Sequence, residues 1–350
     1  MAMLALVTGV FGGLARLGLS TPHLFASQVI NHGAFMLSAF FGTVICLERA
    51  VALNKLWVYV APLLSGLAGL AMIFELPIEW TSSLFVGSGF ILSVASFKIF
   101  MQQKVLYTLT LLIGALSWLM GNTLWLFTHD SLVMVSYGVG FLVLTIAGER
   151  LELTRFLPPK AQANQIFTGL LIIISIGVVS VNISPKTGGL LMGIGLAGLA
   201  LWLLRFDIAR TTIHKSGLTR FVAACLLLGY GWLLAGGVLI MDTALEPGAM
   251  YRDAAIHAIL LGFVMSMVIG HAPIIFPAVM RVKIPYSPLL YLPLFALHIS
   301  VFIRISGSIL NEWPLKQIGS AGNAIALLLF VAILLFRVAI GFRKDSGLND

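Results

Sequence analysis

Two histidines fall inside apolar segments of the chain, where ionisable side chains are costly and are by default candidates for function. His32 lies about five residues into the predicted span 28–50, and His257 about five residues into the predicted span 252–278. Both spans are predicted to enter the membrane from the same face, so the two imidazoles are expected at one depth. Axial ligation of a haem iron requires such a pair on neighbouring helices. The alternative is two packing histidines, hydrogen-bonded across the helix bundle.

Charged and small residues near this pair extend the hypothesis. Asp253, four residues before the second histidine, is expected to orient the other nitrogen of that ring. Arg16 and Arg304 are predicted near the outer ends of the spans 2–19 and 286–309, and guanidinium is a natural bidentate partner for haem propionates. Snorkelling of both arginines to the membrane interface is the alternative. Gly33 and Gly262 are expected to leave room for the macrocycle.

A further histidine follows on the same predicted helix. His271 lies fourteen residues beyond His257, about 21 Å along an ideal helix, and so cannot bind the same iron. Its context, Gly270-His271-Ala272-Pro273, predicts a kinked helix whose freed carbonyls line a polar cavity. His298 is predicted near mid-depth on the next helix. A second metal, or a proton relay through His271, His298 and Glu149, is one hypothesis, and structural polar bonding is the other.

Two Glu-Arg pairs lie near the predicted cytoplasmic ends of the spans 28–50 and 131–153. Each glutamate, Glu48 or Glu149, is expected to pair with an arginine of the matching sequence, Arg49 or Arg150. A structural ion pair is the favoured interpretation. The functional alternative is a proton entrance, because a half-buried carboxylate can shuttle protons.

The composition indicates which elements must position these residues. The chain of 350 residues is 59% hydrophobic and 10% charged, with a mean hydropathy of +1.04, whereas soluble domains carry about 25% charged residues. Apolar runs of about 20 residues, long enough to cross a bilayer, recur from end to end. We predict an all-α polytopic membrane protein with about twelve transmembrane helices in a single domain, 1–350. The predicted spans are 2–19, 28–50, 57–76, 80–101, 105–127, 131–153, 164–182, 187–206, 218–241, 252–278, 286–309 and 317–341.

A short internal repeat has consistent spacing. Helices 2 and 6 share one pattern and helix 10 follows it in part, in the sets Phe40, Ile45, Glu48, Arg49; Phe141, Ile146, Glu149, Arg150; and Phe263, Val268, His271. Matching helices at positions 2, 6 and 10 predict three pseudo-repeated four-helix units, 1–103, 104–210 and 211–350.

The basic residues predict the topology. Of the 21 lysines and arginines, most lie in the connections after even-numbered helices and in the C-terminal tail. The opposite face carries Lys186, Arg252 and Lys316. By the positive-inside rule both termini are cytoplasmic. The net charge of +8 is therefore attributed to topology, and the expected partner is the lipid bilayer of a bacterial inner membrane, with no nucleic acid.

The whole chain resembles the NnrS family, twelve-helix membrane proteins that contain haem and copper and are linked to nitric oxide stress. The family's early His-Ala-His-Glu-Met stretch resembles residues 32–36, and its late His-Ala-x-x-x-Gly stretch resembles residues 257–262. Ala34 and Phe35 stand where the early stretch has its second histidine and its glutamate. The resemblance implies haem b, with copper as a further candidate, and a redox partner protein.

A wider resemblance is to the haem-copper oxidase core subunit, which has twelve helices in three arcs and holds a low-spin haem between helices 2 and 10. Helices 6 and 7 supply copper ligands there but contain no histidine here. The resemblance therefore implies electron transfer or gas-related metal chemistry rather than oxygen reduction. Two other hypotheses remain: a secondary transporter of a small solute or metal ion, because intramembrane charges and an interrupted helix are transporter features, and a non-catalytic membrane scaffold.

Overall fold

The fold is all-helical in the computed structural model, which describes residues 1–22, 28–157, 161–242, 245–246, 248–282 and 284–345. Every regular element in these residues is a helix. Within these residues, eleven helices are long and apolar enough to cross a membrane. The prediction of an all-α polytopic membrane protein is therefore confirmed.

The helices follow the predicted order closely. Helix α1 spans Ala2–Arg16, and the eleven longer helices are α2 His32–Leu53, α3 Leu56–Ile73, α4 Ile78–Gln102, α5 Leu106–Thr128, α6 Ser131–Phe156, α7 Gln162–Ser180, α8 Pro185–Phe206, α9 Gly217–Met241, α10 Arg252–Val279, α11 Pro288–Ile309 and α12 Trp313–Gly341. With 15 residues, α1 is about 22 Å long, less than the roughly 30 Å of a hydrocarbon core. Its span across the membrane stays a prediction.

The chain divides into two compact units. The first comprises Met1–Glu152 with Leu171–Met192, and the second comprises Leu153–Leu170 with Gly193–Asp350. Their borders differ from 103/104 and 210/211, where the repeat places the limits of its units. The three-unit plan stays a prediction from sequence spacing.

Small residues let helices approach closely within the first unit. A Cβ atom added at Gly9 of α1 would lie 2.8 Å from the sulfur of Met36, and one at Gly69 of α3 would lie 2.9 Å from the Cβ of Ala39. Without these side chains the backbones pack directly, as is common between membrane helices. Helix α2 is held in this way between α1 and α3.

Small residues also let helices approach closely within the second unit. A Cβ at Gly307 of α11 would lie 2.5 Å from the backbone nitrogen of Lys316, and one at Gly322 of α12 would lie 2.7 Å from the Cβ of Ser300. The Ser300 hydroxyl also donates to Oδ1 of Asn323 at 2.7 Å. Helices α11 and α12 therefore form a tightly packed hairpin.

The main irregularity is an eight-residue π-helical segment in each unit. One occupies Phe35–Gly42 of α2, and the other Ala258–Met265 of α10. A π-helix pairs residues five apart instead of four, is rare, and is often found at functional sites. His32 lies three residues before the first segment, and His257 directly precedes the second. Beyond the second segment, helix continues through Pro273 and Pro277.

Candidate functional site

His257 lies in the first turns of α10, where its Nδ1 meets two oxygens of one residue. Nδ1 is 2.8 Å from the backbone carbonyl of Asp253 and 3.3 Å from the Oδ1 of its carboxylate. Because both are acceptors, the ring proton resides on Nδ1 in the neutral imidazole. The lone pair is then on Nε2, which is the arrangement of many metal-ligating histidines.

Asp253 is the centre of a charged cluster. The Arg304 guanidinium donates from Nη2 to Oδ1 at 3.0 Å and from Nε to Oδ2 at 3.3 Å. Ser308 donates its hydroxyl to Oδ2 at 3.2 Å, and the Lys316 ammonium lies 3.5 Å from the same oxygen. With His257, four side chains therefore converge on one carboxylate. A half-buried carboxylate is stabilised by such partners, since desolvation of an unpaired charge is costly.

Ser308 and Lys316, two members of this cluster, are not predicted from the sequence, whereas Arg304 is. Arg304 was predicted at this depth as a propionate ligand, and its guanidinium is engaged here with Asp253. Its role toward propionates stays a prediction. Nothing in the sequence singles out Ser308 as a functional residue, because serines are frequent in membrane helices. Lys316 is only weakly indicated, because it is one of the few basic residues on the predicted outer face.

His32 has a comparable backbone contact in the first unit. Its Nδ1 lies 2.6 Å from the carbonyl oxygen of Gly9 in α1, and its ring lies against Gly13, where an added Cβ would be 2.8 Å from Cε1. The Nδ1–H donor again leaves the lone pair on Nε2. Arg16, at the end of the same helix, is exposed.

The two glycines expected to leave room for a macrocycle are covered by protein side chains. A Cβ at Gly33 would lie 3.2 Å from Cγ2 of Val135, and one at Gly262 would collide with the indole of Trp232. The expectation for Gly262 is therefore wrong: its missing side chain admits a tryptophan of α9. The chemistry of the donor nitrogens fits haem ligation, whereas these glycines serve helix packing.

His298 takes part in a directed hydrogen-bond chain. The Trp232 indole donates to Nδ1 of His298 at 2.8 Å, and Nε2 of His298 lies 3.3 Å from the Ser266 hydroxyl. That hydroxyl donates to the Gly262 carbonyl, inside the π-helical segment, at 2.6 Å. Because Nδ1 accepts, His298 is neutral with its proton on Nε2. The chain ties α9, α10 and α11 together.

His271, the other candidate for a second metal, has its Nδ1 2.8 Å from the Met267 carbonyl of its own helix. Within the part of the chain that the structure describes, no group of three or more His, Cys, Asp and Glu side chains is arranged to hold a metal ion. A role of His271 and His298 as metal ligands or proton relay stays a prediction.

The two Glu-Arg pairs meet in the first unit. Glu149 is within electrostatic range of Glu48, Arg49 and Arg150, and the Arg150 side chain is buried. The matched spacing of α2 and α6 in the sequence had placed these residues together. Charges of opposite sign inside a membrane helix bundle stabilise each other, and whether they also conduct protons stays a prediction.

Comparison with known proteins places the chain in a family without assigning an activity. No curated protein matches it. A family model with the description Domain of unknown function (DUF8744) matches residues 1–339, almost the whole sequence. The chain therefore belongs to the DUF8744 family.

Proposed function

We propose that this protein is an integral membrane haem b protein similar to NnrS, in which His32 and His257 would hold the haem. One observation carries the proposal: each histidine directs its Nδ1 to a backbone carbonyl, so that the basic nitrogen is Nε2. This second-sphere contact fixes the tautomer and the orientation of a ligating imidazole. The pairing of the two histidines on one iron rests on their matched positions in the sequence.

The chemistry proposed is electron transfer or the handling of nitric oxide or a similar gas. Haem, when bound, supplies a one-electron couple and a site for small gases. The protein's own residues hold the imidazoles, exclude water and position charges near the ligands. The resemblance to NnrS makes copper a further candidate cofactor, for which no ligands are assigned here. The histidines that hold copper on helices 6 and 7 of the oxidases have no counterpart here, so oxygen reduction is not proposed.

The apolar helices indicate a lipid bilayer environment, and we place the protein in the inner membrane of a bacterium with both termini in the cytoplasm. The histidines then lie toward the outer face. A redox partner protein on that side would exchange electrons with the haem.

Secondary transport is the second candidate function. It is favoured by the irregular helices α2 and α10, because discontinuous helices with intramembrane charges often form transport sites. The π-helical segments at Phe35–Gly42 and Ala258–Met265 change the backbone hydrogen-bond pattern inside these helices without breaking them. In this alternative, as in a scaffold, the histidines contribute only to packing.

The experiment that separates these functions is an oxidised and dithionite-reduced visible spectrum of the detergent-purified protein, expressed with added haem precursor. Iron and copper are determined on the same sample. We expect sharp reduced α and Soret bands at about one haem per chain, as for a low-spin bis-histidine haem. A protein without bands would contradict haem binding and favour transport or a scaffold.

A further inference from the structure

The two oxygens of the Asp253 carboxylate have different partners. Oδ1 lies 3.3 Å from Nδ1 of His257, which is also 2.8 Å from the backbone carbonyl of Asp253, and it accepts from Nη2 of Arg304 at 3.0 Å. Oδ2 receives Nε of Arg304, the Ser308 hydroxyl and the Lys316 ammonium, at 3.3, 3.2 and 3.5 Å. Only Oδ1 faces the histidine, whereas Ser308 and Lys316 act on the far oxygen.

This division has an electronic consequence. A carboxylate that accepts a hydrogen bond from Nδ1–H of a ligating histidine makes the other nitrogen a stronger donor to the metal. Donors on the far oxygen draw negative charge toward themselves and weaken that effect. Ser308 and Lys316 can therefore moderate the action of Asp253 on His257 without touching the imidazole.

The positions of these donors are set by the α11–α12 hairpin. Ser308 lies one turn beyond Arg304 on α11, and Lys316 lies in the first turn of α12. The Lys316 ammonium is also 5.4 Å from the ring centroid of Trp313, a cation–π distance. Its backbone N–H donates to the carbonyl of Glu312 at 3.1 Å. Packing of the hairpin thus presents all three donors to one carboxylate.

We propose that Arg304, Ser308 and Lys316 are positioning residues that act through Asp253 to set the reduction potential of the haem held by His257. The inference rests on the proposed haem function and adds a control by residues that do not touch the iron or its ligand. More negative charge on Oδ1 strengthens donation by His257, stabilises the ferric state and lowers the potential. Donors on Oδ2 raise the potential.

The test is a spectroelectrochemical titration of the purified haem protein carrying Asp253→Asn, Lys316→Met, Ser308→Ala or Arg252→Gln. Asp253→Asn removes the carboxylate, and we expect the ratio of reduced to oxidised haem at a fixed potential to rise about tenfold, or about 59 mV for one electron. Lys316→Met and Ser308→Ala are expected to lower the ratio, with the larger effect from Lys316→Met.

Two of these variants separate action through Asp253 from a simple effect of charge. Ser308→Ala changes no charge, so a Coulombic effect alone predicts no shift, whereas the proposal predicts a lower potential. Arg252→Gln removes a positive charge next to Asp253 in sequence but on another helix face, and is the matched control for Lys316→Met.

The outcomes are distinct. An unchanged potential in Ser308→Ala, together with equal shifts in Lys316→Met and Arg252→Gln, would overturn the inference while the haem remains. Absence of haem bands from the unmodified protein would overturn both the proposed function and the inference.

Discussion

In both compact units, a tryptophan from a neighbouring helix covers a glycine of a π-helical segment. In the first unit Trp118 of α5 lies on Gly42, and in the second Trp232 of α9 lies on Gly262. The indole N–H groups then differ in their acceptors. Trp118 donates to the Ser38 hydroxyl at 3.1 Å, whereas Trp232 donates to the His298 imidazole.

The other hydrogen bonds around the two π-helical segments also differ between the units. In the first unit Ser38 donates to Oδ1 of Asn122 at 2.9 Å, and Ser65 donates to the Ser38 carbonyl at 2.8 Å. Hydroxyls and amides satisfy the irregular backbone, which a membrane interior requires, but they neither titrate near neutral pH nor hold redox metals. The second network contains a histidine and lies on the helix that carries Asp253 and His257. The π-helical segment is thus bonded to hydroxyl and amide side chains in α2, whereas in α10 it is bonded to a network with a histidine and adjoins the charged cluster.

The largest effect is expected from filling the space at the two glycines. Gly42→Ala and Gly262→Ala would each place a Cβ against an indole ring, and overpacking of this kind costs about 1–3 kcal/mol or more. We expect a lower unfolding temperature and a lower folded yield for both variants, measured by thermal unfolding in detergent.

A matched control is available on α9. Gly231 directly precedes Trp232, and no atom lies within 4 Å of a Cβ added there. Gly231→Ala is expected to leave stability unchanged or raise it by up to about 1 kcal/mol, because alanine is the better helix former. A similar loss of stability in all three variants would refute the proposed contacts of the indoles.

A smaller effect sharpens the contrast between the networks. Double-mutant cycles on Trp118/Ser38 and Trp232/His298 cancel the loss of ring volume and isolate each hydrogen bond. We expect a coupling of about 1–1.7 kcal/mol for Trp232→Phe with His298→Gln, at the upper end for membrane helices, because removal of one partner leaves a half-buried imidazole nitrogen without its donor. For Trp118→Phe with Ser38→Ala we expect about 0.6 kcal/mol, a typical value for membrane helices. Both coupling energies are obtained from the free energy of unfolding in mixed micelles. Equal coupling energies would show that the hydrogen bond to His298 contributes no more to stability than the bond to Ser38.

The helices were predictable from sequence because long apolar runs leave few alternatives in a bilayer. All eleven longer helices begin within four residues of the predicted start, and the difference is largest at α2 and α12, which begin at His32 and Trp313 against predicted starts at 28 and 317. The π-helical segments were not predictable, since Phe35–Gly42 and Ala258–Met265 consist of ordinary apolar residues. Their hydrogen-bond pattern depends on Trp118, Ser65 and other side chains that are distant in sequence.

The site was predictable where its contacts are local. The i to i+4 spacing of Asp253 and His257 on one helix already places the carboxylate beside the ring, and the matched Glu-Arg pairs placed Glu149 near Arg49. Contacts that depend on how two helices approach each other leave no pattern in the sequence. The Gly9 carbonyl beside His32, and Ser308 and Lys316 beside Asp253, required the helix packing to be known.

The central claim is that His32 and His257 hold a haem, and the most direct measurement is the reduced-minus-oxidised spectrum of each alanine variant at equal protein concentration. We predict that His32→Ala and His257→Ala each lose most of the haem or convert it to a high-spin form, because one axial ligand is removed. His214→Ala, which changes an exposed histidine, should keep the spectrum of the unmodified protein. Unchanged low-spin spectra in both His32→Ala and His257→Ala would contradict the assignment.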